Sequence, residues 1–476
     1  MSALWSIGDM AAAMKATRSG TLPGEVGGIS IDSRTLGKGD AFFAIQGETR
    51  DGHDFVEAAL KAGAGLAVVA RESLSRFAPG APLLAVDDAL EALRDLARAA
   101  RARSLAKVVA VTGSVGKTGT KEALRLALGA DGETHASAAS YNNHWGVPLS
   151  LARMPASAKY AVFEIGMNHA GEITPLTQLA RPHVAIITTI EPVHLEYFGT
   201  LEKIADAKAE IFSGIEPDGA AVLNRDNGQY ARLAAAAKTA GIARIVSFGE
   251  DAKADARLLR HSLQAESSTV EARIFGTEVT YKLGAPGLHL VFNSLAVLAA
   301  VALAGADLAL AALALSGLKA APGRGTRVNL TMPGGSALLI DESYNANPAS
   351  MAAAIALLGQ APLGPKGRRI AVLGDMLELG GEGPAMHRQL VKPIEAAKVD
   401  LVFCSGPQMR ALWKALPSNH RGGYADSAAA LEPSVLAAIR DGDAVMVKGS
   451  LGSKMAPIVK ALERQFAKAG VLDQDA

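Results

Sequence analysis

The sequence has a single cysteine, Cys404, among its 476 residues. A disulfide within the chain is therefore excluded. Because Cys404 lies in the apolar run LVFCSG, we expect a buried thiol and not a nucleophile. The N-terminal stretch MSALWSIGDM lacks the basic flank of a signal peptide, and together with the lone cysteine this predicts a protein of the reducing cytoplasm.

An excess of charge and a long apolar run are also missing. The net charge is +1, so nothing in the balance indicates binding to nucleic acid or to an acidic membrane surface. The most apolar stretch, residues 295–306, is too short to cross a bilayer. With 49% hydrophobic and 20% charged residues the composition is typical of a folded globular protein, and the length predicts more than one domain.

The predicted elements divide the chain into three segments. Residues 1–105 mix short strands with two helical runs. Residues 106–320 alternate strand-like runs, such as KVVAVTG and YAVFEIG, with helices, and a second alternation follows the linker KAAPGRG within 321–476. This order predicts an α/β protein of three domains with parallel sheets covered by helices. Alternating polar and apolar positions in 255–283 predict a small antiparallel insert.

The stretch AVTGSVGKTGTKEAL, residues 110–124, joins an apolar strand to a helix through small residues. Free N–H groups at a helix N-terminus favour anions, a lysine there reaches the outer phosphates, and a hydroxyl can bind Mg²⁺. The strict phosphate-loop motif fails, because Val111 stands where its first glycine belongs, and an ordinary strand–turn–helix corner is the alternative. The predicted phosphate-binding residues are Gly113, Ser114, Val115, Gly116, Lys117 and Thr118.

Three residues farther along the chain are candidates to complete such a site. Glu164 ends the apolar strand YAVFEIG, where an α/β sheet places a metal ligand, although a helix cap or a surface charge is the alternative. His194 follows HVAIITTI in the turn EPVHLEYFG, and a structural hydrogen bond is the commoner role of a lone histidine. Lys208 lies in the predicted helix IADAKAEIF, where a lysine is usually solvated.

Taken in order, the motifs TGSVGKT, FEIGMNHAGEI, EPVHLEYFG and DAKAEIF resemble those of the Mur ligases, the ATP-dependent amino-acid ligases of bacterial peptidoglycan synthesis. The motifs SYNNHWGVP, GLHLVFNSLAVLAA, PGRG, DESYNANP, LGDMLELG and VKGS narrow the resemblance to the branch that adds D-alanyl-D-alanine to UDP-N-acetylmuramoyl-tripeptide. The segment DSRTLGKGDAFFAIQGETRDGHDF is similar to the nucleotide-sugar domain of that branch. The resemblance implies a small α/β UDP-sugar-binding domain in 1–105, a central P-loop-type ATPase domain with a parallel sheet in 106–320, and a C-terminal Rossmann-like α/β domain in 321–476.

The resemblance also implies the reaction. The peptide carboxylate attacks the γ-phosphate of ATP, and the amine of D-Ala-D-Ala then attacks the acyl phosphate. Because two anions must meet in the first step, cationic groups have to offset their repulsion. The implied cofactors are ATP and two Mg²⁺ ions. The implied form is a monomer that acts on small molecules, without nucleic acid and without membrane insertion.

The resemblance assigns catalytic and nucleotide-binding roles to several residues. Thr118 and Glu164 match ligands of one Mg²⁺, and His194 matches a ligand of the second. Lys208 matches a lysine that CO₂ converts to a carbamate, whose anionic oxygens suit Mg²⁺, and Lys203 is its nearby rival. The implied catalytic residues are Lys117, Lys208, His194 and Glu164; further ATP contacts are Asn293, the more doubtful His289, Arg324 and Asp341.

Substrate contacts follow from the same motifs. The alternative for Arg324 is a solvated charge in the linker. The alternative for SYNANP is a turn that starts a helix at Pro348, and the alternative for Lys448 is a structural role. The third residue of the tripeptide, diaminopimelate or lysine, stays open. The implied UDP-sugar contacts are Ser33, Arg34, Asp51, Gly52 and His53, the muramyl or peptide contacts Asn142, Asn143 and Asn168, and the D-Ala-D-Ala contacts Tyr344, Asn345, Asn347 and Lys448.

Three other functions compete with this interpretation. The first is a sister ligase that adds the third amino acid, or a folylpolyglutamate synthetase; the NANP turn and the paired asparagines 142 and 143 argue against both. The second is an inactive nucleotide-binding module, which would have little reason to keep all the candidate phosphate and metal residues. The third is a P-loop kinase, which would not need a third domain with an amine site.

Overall fold

The first domain is built on a five-stranded sheet. The computed structural model describes residues 3–138 and 140–466 of the chain. The strand order is β2-β7-β6-β5-β4, parallel except for the antiparallel edge strand β2, and β1 and β3 form a separate antiparallel pair. From residue 3 onward this domain has three α-helices, where two helical runs were predicted. The elements are β1 Trp5–Ser6, α1 Ile7–Ala13, β2 Thr17–Ser19, β3 Glu25–Val26, β4 Ile29–Ser30, β5 Ala41–Phe43, α2 Val56–Lys61, β6 Leu66–Ala70, β7 Leu83–Val86 and α3 Ala89–Arg103.

The middle domain contains a nine-stranded sheet in the order β16-β15-β14-β13-β12-β11-β8-β10-β9. Strands β8 to β13 run parallel to one another. Strand β8 is almost wholly buried, as its unbroken apolar sequence predicts. The elements are β8 Lys107–Thr112, α4 Lys117–Gly129, β9 Thr134–Ala136, α5 Gly146–Ala152, β10 Tyr160–Glu164, α6 Ile173–Ala180, β11 Val184–Ile187, α7 Leu195–Phe198, α8 Leu201–Ala209, β12 Ala220–Asn224, α9 Tyr230–Thr239, β13 Arg244–Gly249, β14 Ala256–Leu263, β15 Ser268–Ile274, β16 Thr277–Leu283, α10 Leu288–Leu303 and α11 Leu308–Ala314.

The predicted antiparallel insert is confirmed as the meander β14-β15-β16. It does not stand apart from the domain, because β14 pairs in parallel with β13 and so extends the main sheet. Helix α10 packs over this extension, and its residues Val291 and Leu295 to Val301 are buried in the same core as β14 and β15. The polar alternation therefore marks a sheet with one face on the core.

The third domain has a six-stranded sheet in the order β17-β18-β22-β19-β20-β21. Among the described strands of this domain, only the β17–β18 pair is antiparallel. The elements are β17 Thr326–Met332, β18 Gly335–Glu342, α12 Pro348–Gly359, β19 Arg369–Gly374, α13 Gly383–Gln389, α14 Val391–Ala396, β20 Leu401–Ser405, α15 Arg410–Ala415, β21 Arg421–Ala425, α16 Ala428–Ala438, β22 Ala444–Lys448 and α17 Ala456–Gln465. The α/β class with three domains and parallel sheets is thus confirmed. The domain limits stay predictions. Residues 1–2 of the predicted first domain and 467–476 of the predicted third domain lie outside the described residues.

The first and middle domains pack closely against each other. The indole N–H of Trp5 donates to the carbonyl of Ala152 at 2.8 Å. The guanidinium of Arg103, which stacks on the Trp5 ring, donates to the carbonyl of Met154 at 3.4 Å. Arg153 donates to the carbonyl of Ile29 at 2.7 Å. These bonds and a shared apolar core join the two domains into one platform.

Two further expectations concern buried and apolar segments. Cys404 is fully buried in β20, and burial raises the pKa of its thiol, which agrees with an inert role. In the described part of the chain, no helix combines the length and apolarity that a membrane span requires.

Candidate active site

The loop between β8 and α4 is shaped by two glycines. Gly113 has φ +145° and Gly116 has φ +87°, conformations that favour glycine. A Cβ on Gly113 would overlap the Thr188 hydroxyl, and one on Gly116 would lie 2.6 Å from the side-chain nitrogen of Asn293. The loop therefore has no room for side chains at these two positions, and it leads directly into the N-terminus of α4.

Lys117 folds back over this loop. Its Nζ donates to the carbonyl of Gly113 at 2.7 Å and approaches the carbonyl of Ser114 at 3.5 Å. Burial lowers the pKa of Lys117, the charge of Glu164 opposes that shift, and the charge of Arg324 adds to it. An anion bound at the loop would stabilise the ammonium form in place of the two carbonyls.

Glu164 lies beside the loop because β10 and β8 are parallel neighbours, with Glu164 in register with Val111. Its carboxylate is buried, and both oxygens are engaged: Thr118 Oγ1 donates to Oε2 at 2.9 Å, and Asn142 Nδ2 donates to Oε1 at 2.8 Å. A hydroxyl and a carboxylate are oxygen ligands of the kind that Mg²⁺ prefers. The pair Thr118–Glu164 therefore fits one Mg²⁺ ion next to the phosphate loop.

His194 is the N-cap residue immediately before α7 and is half-buried, with φ +56°. Its Nδ1 contacts a carboxylate oxygen of Glu378 from the third domain. Burial lowers the pKa of His194, Glu378 opposes the shift, and the charges of Lys208 and Lys117 add to it. A neutral imidazole is the form that binds a metal ion.

Lys208 is 1% exposed, whereas its rival Lys203 lies on the surface of the same helix, α8. Within the described residues, no hydrogen bond or ion pair to the Lys208 amine is found. Burial, and secondarily the charge of Lys117, lowers the pKa of Lys208 well below its usual value. The described residues contain no group of three His, Cys, Asp or Glu side chains placed to hold a metal. A full ligand set would therefore need the Thr118 hydroxyl, a modified lysine or a bound phosphate.

A cleft of about 1100 Å³ opens in front of the loop and is lined by all three domains. The third domain is docked, so that Arg324 from the linker faces the same cavity as Lys117. The predicted residues that line the cleft are Ser114, Val115, Gly116, Lys117, Thr118, Asn142, Asn143, Glu164, Asn168, His194, His289, Asn293, Arg324, Tyr344, Asn345, Asn347 and Lys448. Those that do not line it are Ser33, Arg34, Asp51, Gly52, His53, Gly113, Lys208 and Asp341.

The third-domain residues are mostly engaged by their neighbours. The guanidinium of Arg324 lies 4.4 Å from the ring centroid of Tyr344. The side chain of Asn347 caps α12 together with Ser350, so its amide oxygen already accepts a hydrogen bond. Lys448 donates to Glu342 at 3.0 Å and to the carbonyl of Asn345 at 3.0 Å.

Asp341 does not line the cleft. Its carboxylate accepts from the backbone N–H of Ser343 at 3.0 Å, and its neighbour Glu342 lines the cavity instead. Asn345 likewise accepts from the backbone N–H of Ala346 at 2.8 Å. The assignment of Asp341 to the ATP site stays a prediction.

The two motifs of the first domain follow β4 and β5, which are parallel neighbours, and so meet at one edge of the sheet. Asp32 binds Arg34 through two hydrogen bonds, which hold the pKa of Asp32 at about 2. The ring of His53 is fully used: Nδ1 contacts Asp51 at 2.6 Å, and Nε2 accepts from the backbone N–H of Ala70 at 2.9 Å. His53 is therefore held by the fold on both sides, while the guanidinium of Arg34 is paired with Asp32 and otherwise exposed to solvent.

The comparisons with known proteins agree with this architecture. Family models match three successive parts of the chain: the Mur ligase family catalytic domain at 25–101, the Mur ligase middle domain at 111–301, and the Mur ligase glutamate ligase domain at 323–451. The curated UDP-N-acetylmuramoyl-tripeptide–D-alanyl-D-alanine ligase of Escherichia coli is 35% identical over 91% of this chain and 93% of its own length. The chain belongs to the Mur ligase family.

Two solved MurF structures are similar to this Mur ligase over nearly its whole length. The crystal structure of MurF from Acinetobacter baumannii superposes with a TM-score of 0.82 at 30% identity, covering 97% of this chain and 99% of that one. MurF ligase from Thermotoga maritima in complex with ADP gives a TM-score of 0.75 at 26% identity, over 93% of this chain and 98% of that one. The resemblance inferred from the motifs is confirmed.

Sequence reasoning missed several residues of this Mur ligase. Glu378 lies in the motif LGDMLELG, which was recognised without a role for any of its residues. Glu342, the partner of Lys448, stands next to the predicted Asp341. Glu48 of the first domain lines the cleft, and no local sequence pattern marks it.

Proposed function

We propose that this chain joins D-alanyl-D-alanine to UDP-N-acetylmuramoyl-tripeptide, with ATP as the energy source and ADP and phosphate as products. The observation that carries the proposal is the phosphate loop with the Thr118–Glu164 pair, opening into a cleft lined by three domains. The names of the curated relatives support the choice of acceptor. The alternative of a sister ligase adding the third amino acid has no comparable support.

In the first step the terminal carboxylate of the tripeptide attacks the γ-phosphorus, and the bond to the β–γ bridging oxygen breaks to release ADP. The loop N–H groups and Lys117 hold the phosphates and offset their charge. Thr118, Glu164, His194 and a modified Lys208 are the residues that would hold Mg²⁺, which when bound neutralises phosphate charge and orients the acyl oxygen. In the second step the dipeptide amine attacks the acyl carbon, loses a proton, and phosphate leaves.

We propose that Lys208 carries a carbamate in the active enzyme. The buried amine has no partner within the described residues, and burial beside Lys117 favours its neutral form. A neutral amine is the form that adds to CO₂, forming an N–C bond and releasing one proton. Intact-mass measurement on the native protein should show the mass of one added CO₂ per chain, lost in Lys208→Ala and retained in Lys203→Ala. An unmodified Lys208 in the active, metal-loaded enzyme would refute this role.

The remaining assignments describe how the substrates enter. The first-domain edge carrying Ser33, Arg34 and Asp51 would bind the UDP-sugar, so that the tripeptide extends past Asn142, Asn143 and Asn168 toward the loop. Tyr344, Asn345 and Lys448 would meet the dipeptide. The chain would act as a monomer in the cytoplasm, where ATP is supplied; light scattering at working concentration tests the oligomeric state.

The decisive experiment measures phosphate release from Mg·ATP with UDP-MurNAc-tripeptide and D-Ala-D-Ala supplied singly and together. Release only with both substrates, and a pentapeptide product by mass, is expected. Lys117→Met should abolish release, while Lys203→Met, at an exposed lysine, serves as the matched control. Release with a free amino acid and a shorter nucleotide peptide would favour a sister ligase, and no release under any combination would favour an inactive module.

A further inference from the structure

A turn of the third domain, residues 376–380, rests on the turn 194–196 of the middle domain. The backbone N–H of Glu196 donates to the carbonyl of Glu378 at 3.2 Å, and a Cβ on Gly380 would lie 3.6 Å from the Cα of Glu196. The carboxylate of Glu378 contacts Nδ1 of His194. The contact therefore combines backbone and side-chain interactions between two domains.

Both partners of the side-chain contact have unusual backbone conformations. His194 has φ +56° and Glu378 has φ +63°, in the left-handed region that non-glycine residues seldom occupy. Strained residues that face each other across a contact point to a function, because the surrounding structure must stabilise them. The pair is also partly exposed, with 24% of the His194 and 43% of the Glu378 side chain accessible. A surface ion pair of this exposure would contribute little to stability.

The contact leaves the two ring nitrogens of His194 with different environments. Nδ1 is taken by Glu378, and no hydrogen bond to Nε2 is found within the described residues. A histidine that binds a metal commonly gives its other ring N–H to a carboxylate, which fixes the tautomer and the ring orientation. The geometry matches that arrangement, with Nε2 as the free nitrogen.

We propose that Glu378 is a positioning residue that holds His194 with Nε2 free for a divalent cation, and that it does so only when the third domain is docked. This inference rests on the proposed function, since it takes His194 as the ligand of the second Mg²⁺. The second metal site is then complete only in the docked arrangement. An ATP molecule bound before docking lacks that site, which limits hydrolysis without an acceptor.

The test compares Glu378→Ala and Glu378→Gln with the control Glu382→Gln. Glu382 is an exposed carboxylate four residues along the same segment, and its side chain makes no capping hydrogen bond. Binding of Mn²⁺ is titrated by electron paramagnetic resonance in the presence of saturating ATP analogue and tripeptide substrate. The Mg²⁺ concentration for half-maximal phosphate release is measured in parallel, and thermal midpoints establish that each variant folds.

We expect Glu378→Ala to weaken one of two Mn²⁺ sites by roughly tenfold, the lower end of the range for carboxylates behind metal-binding histidines. Glu378→Gln should weaken it less, because its amide oxygen still accepts from Nδ1. The other Mn²⁺ site and the control should be unchanged. Two unaltered sites in Glu378→Ala, a single site in the unmodified protein, or an equal effect of Glu382→Gln would overturn the inference.

Different results would refute the proposed ligase reaction and the proposed role of Glu378. A protein without ligase activity in which Glu378→Ala still weakens one Mn²⁺ site would remove the proposed reaction and keep the role of Glu378. An active ligase whose Mn²⁺ binding and Mg²⁺ requirement ignore Glu378→Ala would keep the reaction and remove that role.

Discussion

Replacing Gly113 by alanine perturbs the phosphate loop without removing any group that meets a ligand. A non-glycine residue at φ +145° is strained by about 1–3 kcal/mol. The added Cβ also overlaps the hydroxyl of Thr188, which donates to the carbonyl of Val115 at 2.6 Å. Displacing it loses a hydrogen bond that contributes about 0.5–1.5 kcal/mol. We therefore expect the middle domain to lose roughly 2–4 kcal/mol.

Differential scanning calorimetry measures this loss. The transition of the middle domain is recognised by its upward shift on adding ADP, because a ligand stabilises the state that binds it. For a domain of this size, about 2–4 °C per kcal/mol predicts a fall in that transition of roughly 4–16 °C. Affinity for ADP should fall as well, since Val115 belongs to the loop.

A double-mutant cycle with Thr188→Ala separates the two causes. Thr188→Ala alone should cost about 1 kcal/mol through the lost hydrogen bond. In the double variant the overlapped oxygen is gone, and the nearest remaining atoms of residue 188 lie 3.1 and 3.2 Å from the added Cβ. The pair should therefore cost about as much as Gly113→Ala alone. Costs that add to within about 0.5 kcal/mol would refute the steric argument.

Three further predictions concern other parts of the chain. Asn347→Ala removes the cap of α12 and should lower the stability of the third domain by about 1 kcal/mol in calorimetry, whereas an unchanged transition would contradict the capping role. Tyr344→Phe should keep the stacking on Arg324 and near-normal kcat, while Tyr344→Leu should lower kcat; equal rates would show that the ring does not position Arg324. His183 accepts from the backbone N–H of Val108, and burial lowers its pKa from 6.5 to about 4, so its contribution to stability is complete above pH 6.5 and lost as the pH falls toward 4. His183→Asn should make the thermal midpoint depend less on pH over that window. An unchanged pH profile would exclude His183 as the source of the pH dependence.

Local chemistry made the phosphate loop and its neighbours predictable. The unbroken apolar run before Gly113 predicts a central strand, and the helix after Gly116 follows from its composition. Glu164 could be placed beside the loop from sequence, because the carboxyl ends of parallel strands meet at one sheet edge. The meander at 256–283 was visible for a similar reason, since its period of two survives on a sheet with one face buried.

Contacts that depend on domain docking had no such signal. Glu378 meets His194 across 184 positions of sequence, through the placement of the third domain on the middle one. Asp341 stays a prediction for the ATP site, since a carboxylate at a strand end can accept from the next turn, here at Ser343, as well as contact a ligand. The assignment of His53 to the UDP-sugar also stays a prediction, and the structure adds that both of its ring nitrogens have partners within the fold.

The charges in the cleft predict that bound anions favour docking of the third domain. Lys208 and Lys117 are close enough that the charge of Lys117 lowers the pKa of Lys208, and Arg324 lowers the pKa of Lys117. Among these groups, only Glu164 opposes the shift of Lys117. The charge of Arg324 near the loop is therefore an unfavourable contribution to docking, which a bound triphosphate and a carbamate on Lys208 would offset. Docking of the third domain should accordingly be tighter with nucleotide than without it, which scattering measurements of the radius of gyration can establish.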